Sequence, residues 1–485
     1  MIRARSILFG TVAGLFAISA GHAADLPLKA KAVEYVKVCS LYGAGFFYVP
    51  GTDTCIKLGG YLRADLTIHG NNQNGPFWNG VGGAGERTAN GFVARSRMAV
   101  TIDTRTATEY GVVRTFGQGD WQWTGGTDVV GGGTFALENA FVQFAGFTFG
   151  KSASAYSTPW NGTPGNNSTS LIGGNDTSTG VNNIQYTWQF GNGLTASFGV
   201  DEAIAYDRTA LGNLNTALGG SAIAATGIPP NAYGGQDTPD FVGRLRLDQV
   251  WGLMQISAAA HNVNSTYYGA TEASGHPDDK WGFAVQGALQ LKNLPTGPGD
   301  DLKIDATYAN GATRYVIATS GVTPNFLMFG DGLGGAYRSV GFGYSSDGVY
   351  GTGSQIELTT AWGIRGAFAH NWNPNWQTTL FGSYSSVDYN GQATGLYCAQ
   401  YKVTVPGAYK CDPDFKVYQV GTRTTWTPVK NLALSAEVLY AHLDQSFEGS
   451  AAYAGFGASL AKPAAVYSYG DQGTVSVNFR AQRNF

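Results

Sequence analysis

The sequence predicts an all-β chain closed into a sixteen-stranded antiparallel transmembrane barrel. Three observations predict it: long segments in which charged and apolar residues alternate strictly, a regular alternation of long and short connections between them, and aromatic residues gathered beside the short connections.

The chain opens with Arg3 and Arg5, an apolar run from Ile7 to Ala20, and Gly21-His22-Ala23, which ends in a small residue. This reads as a secretory signal peptide over residues 1–23, with the mature chain starting at Ala24. No later stretch reaches the ~18 apolar residues that a spanning helix needs. The four cysteines form two local pairs, Cys39 with Cys55 and Cys398 with Cys411. In an exported chain, short loop closure favours this pairing over the two other connectivities. Residues 24–55 therefore read as an N-terminal periplasmic-side segment closed by a disulfide, and residues 56–485 as the barrel. Neither cysteine pair has a C-x-x-C spacing or clustered histidines, so no metal and no cofactor are expected.

The first strand sets the pattern. From Cys55 to His69, Ile56, Leu58, Gly60, Leu62, Ala64, Leu66 and Ile68 form one face, and Lys57, Gly59, Tyr61, Arg63, Asp65, Thr67 and His69 the other. Later segments repeat it: Phe241, Gly243, Leu245 and Leu247 against Val242, Arg244 and Arg246, or Leu302, Ile304, Ala306 and Tyr308 against Lys303, Asp305 and Thr307. In a soluble sandwich the apolar face would meet a second apolar face. Regular charge on strands this long points to inversion, with lipid on the apolar side and a water-filled lumen on the charged one. Counting such segments gives strands near 56–69, 92–105, 108–117, 136–144, 147–156, 182–190, 194–202, 239–247, 251–261, 281–292, 301–311, 354–371, 376–388, 415–427, 431–443 and 472–485.

Between these strands, long polar connections alternate with tight ones such as Thr106-Ala107, Ala145-Gly146, Gly191-Asn192-Gly193, Asp248-Gln249-Val250, Trp372-Asn373-Pro374-Asn375 and Pro428-Val429-Lys430. Outer-membrane barrels have this asymmetry, with short periplasmic turns and long extracellular loops. Phe144, Phe147, Phe190, Trp251, Trp372, Trp376 and Trp426 collect beside the short turns, as an interfacial girdle would. In the last strand, Arg480 falls on the face opposite Val475, Val477 and Phe479.

Composition excludes other classes. The net charge of −3 gives no basic face to hold nucleic acid. The six histidines form no H-E-x-x-H, there is no G-x-S-x-G elbow, and no enzyme is expected. The G-x-G-x-x-G match over 330–335 lacks a strand-to-helix context in a chain with 70 glycines, and reads as chance.

The motif C-I-K-L-G-G-Y-L-R-A-D from Cys55 to Asp65, the preceding A-D-L-P-L-K-A-K-A-V-E-Y-V-K-V-C, F-V-Q-F-A-G-F-T-F-G over 141–150 and the terminal Phe485 resemble the alphaproteobacterial general diffusion porins of rhizobial and related bacteria. The resemblance covers the chain from Ala24 to Phe485. It implies a homotrimer in the outer membrane, surrounded by lipid and lipopolysaccharide, that lets small hydrophilic solutes and ions diffuse passively. It also implies that the barrel-assembly machinery reads Phe485 as an assembly signal, and that the third long loop, Ser157–Val181, folds inward to narrow the lumen.

Such porins set acidic residues on that loop opposite basic ones on the wall. Here Arg63, Arg95, Arg97 and Arg114 fall on the inward faces of three adjacent strands, while Asp176 is the only acid between Lys151 and Val181. The expected constriction is a basic wall of these four arginines facing Asp65 and Asp176, whose transverse field would orient permeating solutes. A solute-selective sugar or anion channel is the alternative, and a secreted β-rich adhesin a further one.

Overall fold

The computed structural model describes residues 37–168, 170–215, 226–319, 323–330, 338–456 and 460–485. The expected signal peptide over residues 1–23, residues 24–36, Thr169 and all but the first residue of the G-x-G-x-x-G match lie outside them.

Sixteen antiparallel strands close into one barrel: β1 (Thr54–Ile68), β2 (Phe92–Thr108), β3 (Gly111–Thr124), β4 (Thr134–Phe144), β5 (Phe147–Ser152), β6 (Val181–Gly191), β7 (Leu194–Asp201), β8 (Asp240–Gln249), β9 (Gly252–Val263), β10 (Lys280–Lys292), β11 (Asp301–Asn310), β12 (Thr360–Asn373), β13 (Trp376–Asp388), β14 (Phe415–Val429), β15 (Leu432–Gln445) and β16 (Gln472–Asn484). Each pairs with its chain neighbour, and β16 closes the ring on β1 from Tyr61 opposite Asn484 to Ile68 opposite Val477. Closure leaves no unpaired sheet edge, which hydrocarbon would penalise heavily.

The faces are inverted as the alternation requires. Leu58, Ile256 and Val420 are 65%, 68% and 60% exposed, while the inward Asp65, Asp305 and Arg365 are buried. Phe147, Phe190, Trp251, Trp372, Trp376 and Trp426 are exposed at the short-turn end, and Trp376 and Trp426 stack there with ring centroids 5.7 Å apart.

Several boundaries differ from the sequence expectation. The first tight turn is Glu109-Tyr110 rather than Thr106-Ala107, because Gly111 supplies the positive φ of 115° that lets the chain reverse there. Consequently β3 runs on to Thr124, well past the expected end at Gly117. β5 stops at Ser152, and the third loop begins at once. β12 begins at Thr360, since Glu357–Leu358 pairs instead with Gly348 and Val349 in a small separate sheet.

Both disulfides are present, Cys39–Cys55 and Cys398–Cys411. The first ties the segment before the barrel to the start of β1. The second staples the helix Gly391–Thr404, N-capped by Asn390, to the region following strand Gly407–Lys410.

The long loops are not simply polar coils. Phe326–Phe329, Ser339–Gly343, Ala465–Tyr469, Glu448–Tyr453 and Gly407–Lys410 form a five-stranded sheet at the long-loop end. It covers a core that includes Phe342, Tyr397, Tyr401, Phe447, Tyr453 and Tyr469. These rings are scattered among Gly and Ser in the sequence, so no local periodicity announces their common core.

Candidate functional site: the eyelet beneath the third loop

The third loop folds into the lumen and lies along the wall made by β8 to β16. Its backbone supplies the acceptors. Arg246 Nη2 and Gln255 Nε2 donate to the Ser157 carbonyl at 3.2 Å each, Gln419 Nε2 to that of Ser170 at 2.7 Å, and Arg365 Nη2 to that of Asn175 at 2.6 Å. Trp160 Nε1 donates to Asp305 Oδ2 at 2.6 Å. The tip reaches β15 and β16, where Asn167 N donates to Glu437 Oε2 at 2.5 Å and Arg480 Nη1 donates to the Asn167 carbonyl at 2.6 Å. Glycines permit this approach: a Cβ on Gly363 would stand 2.7 Å from Gly173 Cα, and Gly173 itself has φ +112°. Buried carbonyls and amides of an irregular segment need partners, and here the inward side chains of the barrel provide them.

The loop leaves open a cavity of about 510 Å³ between its edge, near Thr163, Asn166 to Ser168, Ser178 and Thr179, and the wall of β1 to β4 with β16. Arg63, Arg95, Arg97 and Arg480 line it. Two rows of cross-strand partners place them. One runs Gln482, Arg63, Arg97, Gln122; the next runs Arg480, Asp65, Arg95, Thr124.

In the second row, Asp65 sits between two cations. Arg95 Nε and Nη2 donate to its Oδ2 at 3.1 and 2.7 Å, and Arg480 Nε to its Oδ1 at 2.6 Å. In the first row, Arg97 donates to Gln122 and, through Nη1, to Asp120 Oδ2 at 3.0 Å, with Glu138 3.9 Å away. Arg63 Nε donates to Gln482 Oε1 at 2.8 Å, and its guanidinium lies 4.4 Å from the Tyr61 ring centroid.

The structure thus brings Arg63, Arg95 and Arg97 together and does not bring Arg114 to them. Arg114 lies eight residues along β3 from Gln122, roughly 26 Å at a strand's rise per residue. It faces inward near the Glu109-Tyr110 turn, donating to Asp103 and Gln143. Asp65 lies within the basic wall rather than across from it. Asp176 is buried on the side of the loop toward Arg314, whose charge it stabilises, and its Oδ1 accepts from Ser178 N at 3.1 Å.

Three charged residues that line the cavity, Asp120, Glu138 and Arg480, are not among those the sequence points to. Asp120 lies beyond the expected end of β3 at residue 117, on the part of the strand that only the structure shows. Glu138 is turned inward by a bulge in β4, where the register shifts between Gln118 and Gly119. Arg480 falls on the expected inward face, and barrel closure puts β16 beside β1, but the register that sets Arg480 opposite Asp65 is not legible in the sequence.

The sequence matches the model of the porin subfamily over residues 25–478. It is 28% identical to Porin Omp2b of Brucella suis biovar 1 over 304 residues, 60% of this chain and 75% of that one, and to Porin Omp2b of Brucella abortus to the same extent. The fold is similar to the outer membrane channel DcaP of Acinetobacter baumannii, with TM-score 0.58 and 15% identity over 90% of this chain and 99% of that one. The family match, the closed barrel with its apolar faces outward and the charged lumen agree: the chain belongs to the porin subfamily and is an outer-membrane porin channel.

Proposed function

We propose that the protein is a passive diffusion channel for small hydrophilic solutes whose constriction is the cavity between the third loop and the arginine wall, and that it favours anions. The observation that carries this is the imbalance of charge across that cavity. Four guanidinium groups face a loop edge of hydroxyls and amides, while among the described residues the carboxylates that line it, Asp120 and Glu138, belong with Asp65 to the wall itself. Rings and rows of charge set selectivity in water-filled pores.

Planar-bilayer recordings under a KCl gradient test this. The reversal potential is expected to report anion preference, and replacing Arg95 and Arg97 by glutamine to move it toward cations. An unchanged potential in that variant would remove the constriction assignment.

The same reading includes a homotrimer embedded in lipid and lipopolysaccharide, and assembly through the C-terminal strand. Phe485 exchanges backbone hydrogen bonds with Gly60 at 3.1 and 3.3 Å while its residue stays 63% exposed, so its ring is accessible at the barrel rim.

A further inference from the structure

The four arginines of the eyelet are not equivalent. Arg95 and Arg480 share Asp65, and Arg97 has Asp120 with Glu138 beyond it. Arg63 has no carboxylate within 4.0 Å among the described residues; only its Nε is committed, and to a neutral amide. Like charges directly opposed across antiparallel strands are destabilising, yet Arg63 stands directly opposite Arg97. The row below solves the same problem by placing Asp65 between its two cations. In the Arg63 row the β1 position is Arg63 itself, its neighbour on β16 is the neutral Gln482, and Arg63 and Arg97 both line the cavity.

We propose that this eyelet holds a binding subsite for small hydroxylated carboxylates, the chemical class of sugar acids, with Arg63 as its anchor and Arg97 beside it. The proposal rests on the diffusion-channel reading above and deepens it. A guanidinium presents two parallel N–H donors that match a carboxylate bidentately, which a lysine cannot do. The facing loop edge, with Thr163, Asn166 and Ser178, offers hydroxyl and amide groups and, among the described residues that line the cavity, no acid, so it suits the hydroxyls of the solute and does not repel its charge. About 510 Å³ is within the range of small-molecule sites. The bound anion does for Arg63 and Arg97 what Asp65 does for Arg95 and Arg480, and a permeating solute pauses there before moving on.

Single-channel KCl currents through the detergent-folded protein in planar bilayers, with potassium gluconate or potassium acetate added, test the subsite. Gluconate is expected to reduce the current saturably and at lower concentration than acetate. Arg63→Gln should raise the half-blocking gluconate concentration roughly tenfold or more, as loss of a charge-assisted hydrogen bond does. Arg63→Lys, which keeps the charge and loses the fork, should fall between. Arg114→Gln, far along the lumen, should block like the parent protein. A channel that conducts KCl but shows no saturable gluconate block, or whose block is unmoved by Arg63→Gln, overturns the subsite and leaves the diffusion channel standing. Equal block by acetate overturns the hydroxyl recognition. Absence of KCl conductance in the folded protein overturns the underlying channel reading itself.

Discussion

Asp305 and Arg365 stand directly opposite each other on β11 and β12, joined at 2.9 Å, and both are sealed from solvent beneath the third loop. Asp305 also accepts from Trp160, and Arg365 also donates to the carbonyls of Leu171 and Asn175. One buried ion pair therefore holds both the outgoing and returning limbs of the loop. Removing one partner of such a pair leaves an uncompensated buried charge, at a cost of about 3–5 kcal/mol. Arg365→Met should therefore lower the temperature at which the folded barrel unfolds in detergent, and make single-channel currents noisier as the loop loosens. The double replacement Arg365→Met with Asp305→Asn should recover much of the stability but not the quiet current. Equal noise in the parent and both variants would show that the pair does not fix the loop.

A second prediction concerns Gly363. Because a Cβ there meets Gly173 at backbone distance, Gly363→Val must push the loop away from the wall and into the pore. Conductance is expected to fall by about half or more, since overpacked contacts relax by displacement rather than compression. The barrel itself should still fold, as judged by its heat-modifiable mobility on gels. Unaltered step size would mean that the loop is not seated against β12 in the membrane.

Asp65→Asn strips Arg95 and Arg480 of their shared partner. The expected loss is about 2–3 kcal/mol, below that of a fully dry pair because the cavity brings water to the cluster. Thermal unfolding in detergent measures it. The same change should move the reversal potential further toward anions, because it removes a negative charge from the wall.

The turn between β10 and β11 carries a pH-dependent contact. Burial acts to raise the Asp300 carboxyl, but hydrogen bonds from Asn371 N, His370 and Thr296 outweigh it and hold the group down to about 2, from an ordinary 3.8. A folded-state pKa below the unfolded value contributes stability that is complete above the unfolded value. That contribution should disappear as pH falls from about 4 to about 2. Proteolysis or hydrogen exchange at residues 293–300, followed across that interval, should show the turn opening, and Asp300→Asn should abolish the dependence. A pH-independent turn in the parent protein would refute the assignment.

Legibility from sequence followed periodicity. The alternation of Leu58, Leu62 and Leu66 with Arg63 and Asp65 settled which face meets lipid, because a strand's side chains alternate whatever surrounds it. The same rule put Arg95, Arg97, Arg114 and Arg480 in the lumen. It could not give their heights along the axis, which depend on register and on where each hairpin turns. Misplacing one turn by three residues, at Thr106-Ala107 instead of Glu109-Tyr110, went with ending β3 early, and that hid Asp120. The Glu138 bulge was invisible for a related reason: an extra residue in one strand is defined only against its partner.

The sequence by itself determined an all-β chain, its number of strands, its inside and outside, its unlike ends and its local cysteine pairing. All of these rest on short-range rules of alternation, turn chemistry and loop closure. Only the tertiary structure decided which arginines meet, that Asp65 lies among them rather than opposite, that no carboxylate of the described residues comes within 4.0 Å of Arg63, and that the outer loops share an aromatic core. Those relationships join residues hundreds of positions apart, such as Arg63 with Gln482 and Asn167 with Arg480. They exist only once the ring closes and the third loop finds its donors on the wall.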